Sequence, residues 1–141
     1  MSDNENMELA SGIAAFEAKH FSRSLQLLSP FANDGNADAQ YRMAIMYQNG
    51  LGVARNCEAA VKWMRAAAEQ GLPLAQHGLG FMYLEGECVD ADGSEAATWF
   101  RRAAEQGLAG SQTTLAMMYE EGRGVDKDPD EAQKWYKMAG F

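Results

Sequence analysis

The chain has 141 residues, 47% of them hydrophobic, with 12 basic against 20 acidic residues and a net charge of −8. That length suits one domain with a real core, and no Lys/Arg run offsets the negative field, the Arg101-Arg102 pair being diluted by Glu95 and Glu105, so nucleic acid and anionic membrane surfaces are excluded as expected partners. The start, MSDNENMELAS, has neither the basic nor the apolar segment of a signal peptide, no apolar run is long enough to span a bilayer, and two cysteines do not make a disulfide framework, which leaves the cytoplasm as the expected compartment.

In chain order, residues 1–6 are expected to form a flexible tail. Apolar spacing then predicts helices at about Met7–Lys19 and Ser22–Asn33, the second ended by Gly35. From Asp38 onward the chain repeats itself with a step of 36 residues. Tyr47, Tyr83 and Tyr119 obey that step, as do Gly50, Gly86 and Gly122, and Val53, Val89 and Val125. Trp63, Trp99 and Trp135 follow it, and so do Gln40, Gln76 and Gln112. A period of this length is the mark of stacked supersecondary units.

Each unit reads as two helices. The first, at about Asp38–Gln48 in the first copy, carries apolar or small residues at helical spacing and stops at a glycine pair, Gly50 and Gly52. The second begins at Asn56, Asp92 or Asp128, whose side chains can accept orphan backbone N–H groups. Glu95 and Glu131 stand three residues later, the spacing of a capping box, and Pro129 takes the first helical position, where its missing N–H costs nothing. Ala44, Gly80 and Ala116 form a column without bulk that lets helices approach closely. Met46, Met82 and Met118 form a core column. A lone pair of such helices cannot bury its apolar face, so the pairs must stack.

The strings AQYRMAIMYQNGLGV and AVKWMRAAAEQG, with their counterparts AQHGLGFMYLEGECV and SQTTLAMMYEEGRGV, resemble the Sel1-like repeat family, relatives of the tetratricopeptide repeat. The residues Lys19-His20-Phe21, Ser24, Leu28 and Pro30 resemble the junction of an ordinary tetratricopeptide pair. The resemblance implies a single domain over 1–141, an all-α, right-handed α-solenoid of about eight antiparallel helices in four pairs. Residues 7–37 would be a capping pair, and 38–73, 74–109 and 110–141 the repeats.

Candidate chemistry is sparse. Asp90, Asp92 and Glu95 hint at a calcium loop, but an EF-hand needs glycine at its sixth position and glutamate at its twelfth, where Glu95 and Arg101 stand. His20 and His77 lack metal-ligand partners at the required spacing, so no metal and no cofactor is expected. No serine sits in a nucleophile elbow and no phosphate loop is present, so no catalytic residue is assigned. Cys57 follows a helix cap and Cys88 replaces a loop glycine. Two free thiols are expected in a reducing compartment, with a bridge between neighbouring loops as the alternative, and Cys88 is expected to strain its loop or reshape it.

In the resembling families the first helix of each pair lines a concave surface that contacts ligand. Carried onto this chain, that surface comprises Leu9, Ile13 and Phe16 in the capping pair. The three repeats add Tyr41, Ile45 and Gln48, then His77, Phe81 and Leu84, then Thr113, Met117 and Glu120. Asp38, Glu85 and Glu121 supply acidic margins. The expected function is a non-catalytic protein-interaction module that takes a protein or peptide segment with hydrophobic anchors and basic flanks. The alternatives are self-association as a homodimer through the C-terminal repeat, and a hydrolase of the kind suggested for some cysteine-rich relatives.

Overall fold

A helix occupies the segment expected to be a tail. In the computed structural model, which describes Met1–Phe141, α1 runs from Asp3 to Glu17. Ser2 Oγ accepts from the Glu5 backbone N–H at 3.2 Å and the Glu5 carboxylate accepts from that of Ser2 at 3.4 Å. This capping box satisfies two orphan donors at once, so the helix starts four residues before its apolar pattern does.

Seven helices follow: α2 (Phe21–Asn33), α3 (Ala37–Asn49), α4 (Cys57–Glu69), α5 (Pro73–Glu85), α6 (Gly93–Glu105), α7 (Ala109–Glu121) and α8 (Pro129–Met138). There is no strand, and the eight helices form four antiparallel pairs, the all-α class the sequence predicts. The chain divides into two compact units, Met1–Gln70 with α1–α4 and Gly71–Phe141 with α5–α8.

Asn56, Asp92 and Asp128 cap the second helices as expected, each accepting from the backbone N–H three residues on. The reciprocal half of the predicted capping boxes is not formed. Glu95 instead accepts from Trp99 Nε1 at 3.2 Å, and Glu131 pairs with Lys134 at 3.7 Å. The N-cap amides of Asp92 and Asp128 already donate to the Tyr83 and Tyr119 carbonyls at 2.9 Å, so they have no donor left for a glutamate.

In the first unit Leu28, Phe31, Ala32, Ala39, Met43 and Met46 form the core. Ser24 is fully buried and donates from Oγ to the Gly12 carbonyl at 2.8 Å. In the second unit Ala96, Ala97, Phe100, Ala104, Leu115, Ala116, Met118 and Trp135 do the same. The column without bulk has a visible reason there: a Cβ on Gly80 would lie 2.9 Å from the Phe100 ring.

The loops make the closest approach. Gly52 has φ +70° and Gly124 φ +73°. A Cβ on Gly52 would lie 2.5 Å from the Ser22 backbone nitrogen, and one on Gly124 2.2 Å from the Gly93 carbonyl oxygen. Each loop thus rests on the backbone at the start of a second helix.

The repeated glutamines are buried amides with assigned work. Gln40 Nε2 donates to the Ala32 carbonyl in the last turn of α2 at 3.1 Å, and Gln112 Nε2 to the Ala104 carbonyl in the last turn of α6 at 3.1 Å. Each of these carbonyls also accepts from a backbone N–H at the helix end, that of Gly35 and that of Gly107, both at 3.0 Å, so the glutamine supplies the second bond a carbonyl can take. In return, Gln40 Oε1 accepts from Gln70 Nε2 at 2.8 Å and Gln76 Oε1 from Gln106 Nε2 at 2.9 Å. Gln70 and Gln106 also donate to the Gly35 and Gly71 carbonyls. Gln40→Ala removes two hydrogen bonds, one at the Ala32 carbonyl and one from Gln70, and is expected to cost about 0.5–1.5 kcal/mol for each. Urea denaturation checks this, an unchanged midpoint counting against it.

Candidate functional site

The first helices carry the residues singled out from sequence, and the structure leaves none of them fully buried. In the first unit, Leu9, Ile13 and Phe16 are half-buried and pack against the core cluster, so much of each side chain is spent on folding. Tyr41, Ile45 and Gln48 on α3 are also half-exposed. Arg42 lies beside them, stacked 5.0 Å over the Phe16 ring, bonded to Asp38 at 2.7 Å and 3.8 Å from Glu17. Burial raises the Tyr41 hydroxyl pKa, Asp38 adds to that and Arg42 opposes it.

In the second unit, Phe81, Leu84 and Met117 come together. With Thr114, Met118, Glu85, Glu121 and Arg123 they line a pocket of 190 Å³ between α5 and α7. Phe81 is 38% and Met117 46% exposed. Glu85 and Glu121, read from sequence as acidic margins, stand at this pocket. Thr114 and Arg123 were not singled out, because neither interrupts a pattern that periodicity can see. Thr113 spends its hydroxyl on the Ala109 carbonyl at 3.0 Å.

Glu120 lies apart from that group. It lines a separate 560 Å³ cavity with Pro129, Ala132, Gln133, Tyr136, Lys137 and Phe141. Burial raises the Tyr136 pKa, and the charge and hydrogen bond of Glu120 raise it further.

His77 is half-buried. Its Nδ1 lies 2.6 Å from Ser111 Oγ on α7, and its ring meets Phe81 and Phe100 edge-on at centroid distances of 4.9 and 5.4 Å. Ser111 is a departure from the repeat: its column holds Ala39 and Ala75 in the other copies, and that substitution is the signal by which the pair could have been found. The contact has the elements of a nucleophile and base, with Ser111 wholly buried. No cluster of three or more His, Cys, Asp or Glu is placed to hold a metal ion, and no helix is long and apolar enough to cross a membrane.

With this geometry in hand, the likeness to known proteins is decisive. The Sel1 repeat matches three times in succession, over residues 37–72, 73–108 and 109–140. The chain belongs to the Sel1 repeat family. These Sel1 repeats begin one residue before the boundaries taken from the period. A Sel1 repeat protein from Oxalobacter formigenes is 35% identical with a TM-score of 0.88, the match covering 92% of this chain and 54% of that one. A protective antigen of uropathogenic Escherichia coli strains that displays an SLR fold is 37% identical with a TM-score of 0.89, covering 96% of this chain and 30% of that one. The chain therefore spans about half and under a third of the length of these two relatives. Cysteine rich protein B of Helicobacter pylori, 18% identical with a TM-score of 0.65 over 84% of this chain and 88% of that one, shares the fold. No curated protein matches the chain significantly. Sel1 repeats build helical solenoids that commonly mediate protein–protein interaction.

The cysteines correct the expectation of free thiols. Neither is free, and both are disulfide-bonded. Cys88 keeps a φ of +64°, close to the values of Gly52 and Gly124, so its loop holds the common path and bears the strain of a left-handed Cβ residue. Cys88 occupies the loop column of this Sel1 array, and Cys57 stands one repeat before Gly93, in the helix-start column. Those are the columns that touch in each unit, at Gly52 against Phe21-Ser22 and at Gly124 against Gly93.

Burial lowers the His77 pKa below its ordinary 6.5. The neutral ring is thus the form the fold prefers, and its contribution to stability is complete above pH 6.5 and lost as pH falls through the lower folded value. His77→Thr, which restores a residue type found in this column, is expected to flatten that part of the stability profile. The check is the difference between wild-type and variant urea midpoints across acid pH; a constant difference counts against it.

Proposed function

We propose that this Sel1 array is a non-catalytic interaction module that holds a protein or peptide segment on the exposed faces of its first helices. The observation that carries the reading is the pairing of Phe81 and Met117, two of the few large apolar side chains left exposed, around one pocket on α5 and α7. Large exposed apolar groups gathered on one surface mark interaction sites more often than scattered ones do. The rigid helices supply pre-organisation, so little ordering entropy is spent on binding. Basic flanks on the partner accord with the net charge of −8. The oxidised cysteines favour an oxidising compartment over the cytoplasm expected from the sequence.

The test is recovery of co-purifying proteins from the native cells with wild-type bait, Phe81→Ala and Tyr41→Ala. Aromatic anchors of this kind typically account for about 2 kcal/mol or more of binding, so at least one variant is expected to lose most of its partner. Undiminished recovery by both rejects the first-helix face.

A second reading is favoured by the 560 Å³ cavity at α8, where Tyr136 and the exposed Phe141 meet edge-on at 5.7 Å. A hollow with this aromatic edge suits self-association through the C-terminal repeat. Light scattering on the purified protein is then expected to give twice the chain mass, and a strict monomer at high concentration removes this reading.

A further inference from the structure

The pocket between α5 and α7 is too small for a free small-molecule ligand. Such sites typically run to about 300–1,000 Å³, and this one measures 190 Å³. Its size suits one aliphatic side chain presented by a longer partner. Its walls are apolar, formed by Phe81, Leu84, Met117 and Met118, with Thr114 the one neutral polar residue.

The two exposed walls differ in stiffness. Phe81 is braced from beneath: its ring meets the buried Phe100 at 5.0 Å and His77 at 4.9 Å, both edge-on, and His77 is tied to Ser111 on the facing helix. Met117 is an unbranched side chain that can adapt its shape to what enters. A rigid aromatic wall opposite an adaptable thioether suits an anchor residue with a flexible outline, leucine or methionine.

The surroundings set the charge of the segment that carries the anchor. Residues 71–141 hold 12 of the 20 acidic residues and 6 of the 12 basic ones. At the pocket itself Glu85 and Glu121 are exposed, and the one cation, Arg123, directs its guanidinium to the Leu84 carbonyl at 3.2 Å. The field at the rim attracts cations and repels carboxylates.

We infer that the α5–α7 pocket is an anchor site for a single leucine or methionine side chain of a peptide segment that carries lysine or arginine beside it. This rests on the first-helix reading above and adds the partner's chemistry to it.

The experiment uses the full chain with ¹³C-labelled methionine methyl groups and three blocked pentapeptides. The first is acetyl-Gly-Lys-Leu-Arg-Gly-amide, the second replaces its leucine with alanine, and the third replaces both basic residues with glutamate. The first peptide is expected to shift the Met117 and Met118 methyl signals saturably, with the buried Met46 signal unmoved. The alanine peptide is expected to bind roughly tenfold more weakly or worse, since deleting several methylenes from an anchor costs at least that much, and the glutamate peptide is expected to bind more weakly because its carboxylates meet Glu85 and Glu121. Added salt is expected to weaken the first peptide. In Met117→Ala, an exposed position where folding is not at stake, the Met118 shift is expected to shrink, and Met117→Leu is expected to restore it. Silence of both signals with the first peptide, or equal shifts with all three, overturns the proposal. If the native partner is lost on Tyr41→Ala while both methyl signals stay silent, the first-helix reading stands and the anchor site falls alone.

Discussion

The structure depends on a buried amide. Each Sel1 repeat opens its first helix with a glutamine that cannot face water, and a primary amide in a dry site must find partners for both its ends. Gln40 and Gln112 meet that demand with a carbonyl from the last turn of the preceding helix, a group that takes one backbone N–H and has a second lone pair to offer. Gln70 and Gln106 donate to Gln40 and Gln76 from the end of the same repeat. Hydrophobic burial alone is non-directional and would tolerate a slide of one helix along another. The amide does not, because a shift of one residue breaks its bonds. Alanine columns allow close approach, and glutamine decides where along the helix that approach occurs.

The loops carry a second constraint of the same kind. Gly52 and Gly124 sit against backbone at distances that no Cβ could share, and both take a left-handed conformation. The middle loop takes the same conformation with a cysteine. The conformation costs a non-glycine residue roughly 1–2 kcal/mol, and this loop keeps it nonetheless.

With the helices held in this way, the first-helix faces have little freedom to rearrange. Leu9, Ile13 and Phe16 are drawn into the packing of their own unit, whereas Phe81 and Met117 are left standing at a pocket. The difference comes from what lies beneath them. In the second unit the core below Phe81 is already filled by Phe100, which occupies the space Gly80 vacates, so the outer ring is supported but not covered.

The sequence by itself determined the repeat length, the eight helices, the caps at Asn56, Asp92 and Asp128, and the methionine core column. All of these follow from local propensity and from a period that three copies make visible. The Ser2–Glu5 cap and the Glu95–Trp99 bond are local to one helix, the first carried by an S-x-x-E spacing in the sequence. Tertiary structure alone decided that His77 meets Ser111 from another helix. It also decided which candidate site residues share a pocket: Phe81, Leu84 and Met117 do, and Glu120 does not. The physical reason is that periodicity encodes which face of a helix is apolar, while the meeting of two side chains from different helices depends on distances that no spacing along the chain contains.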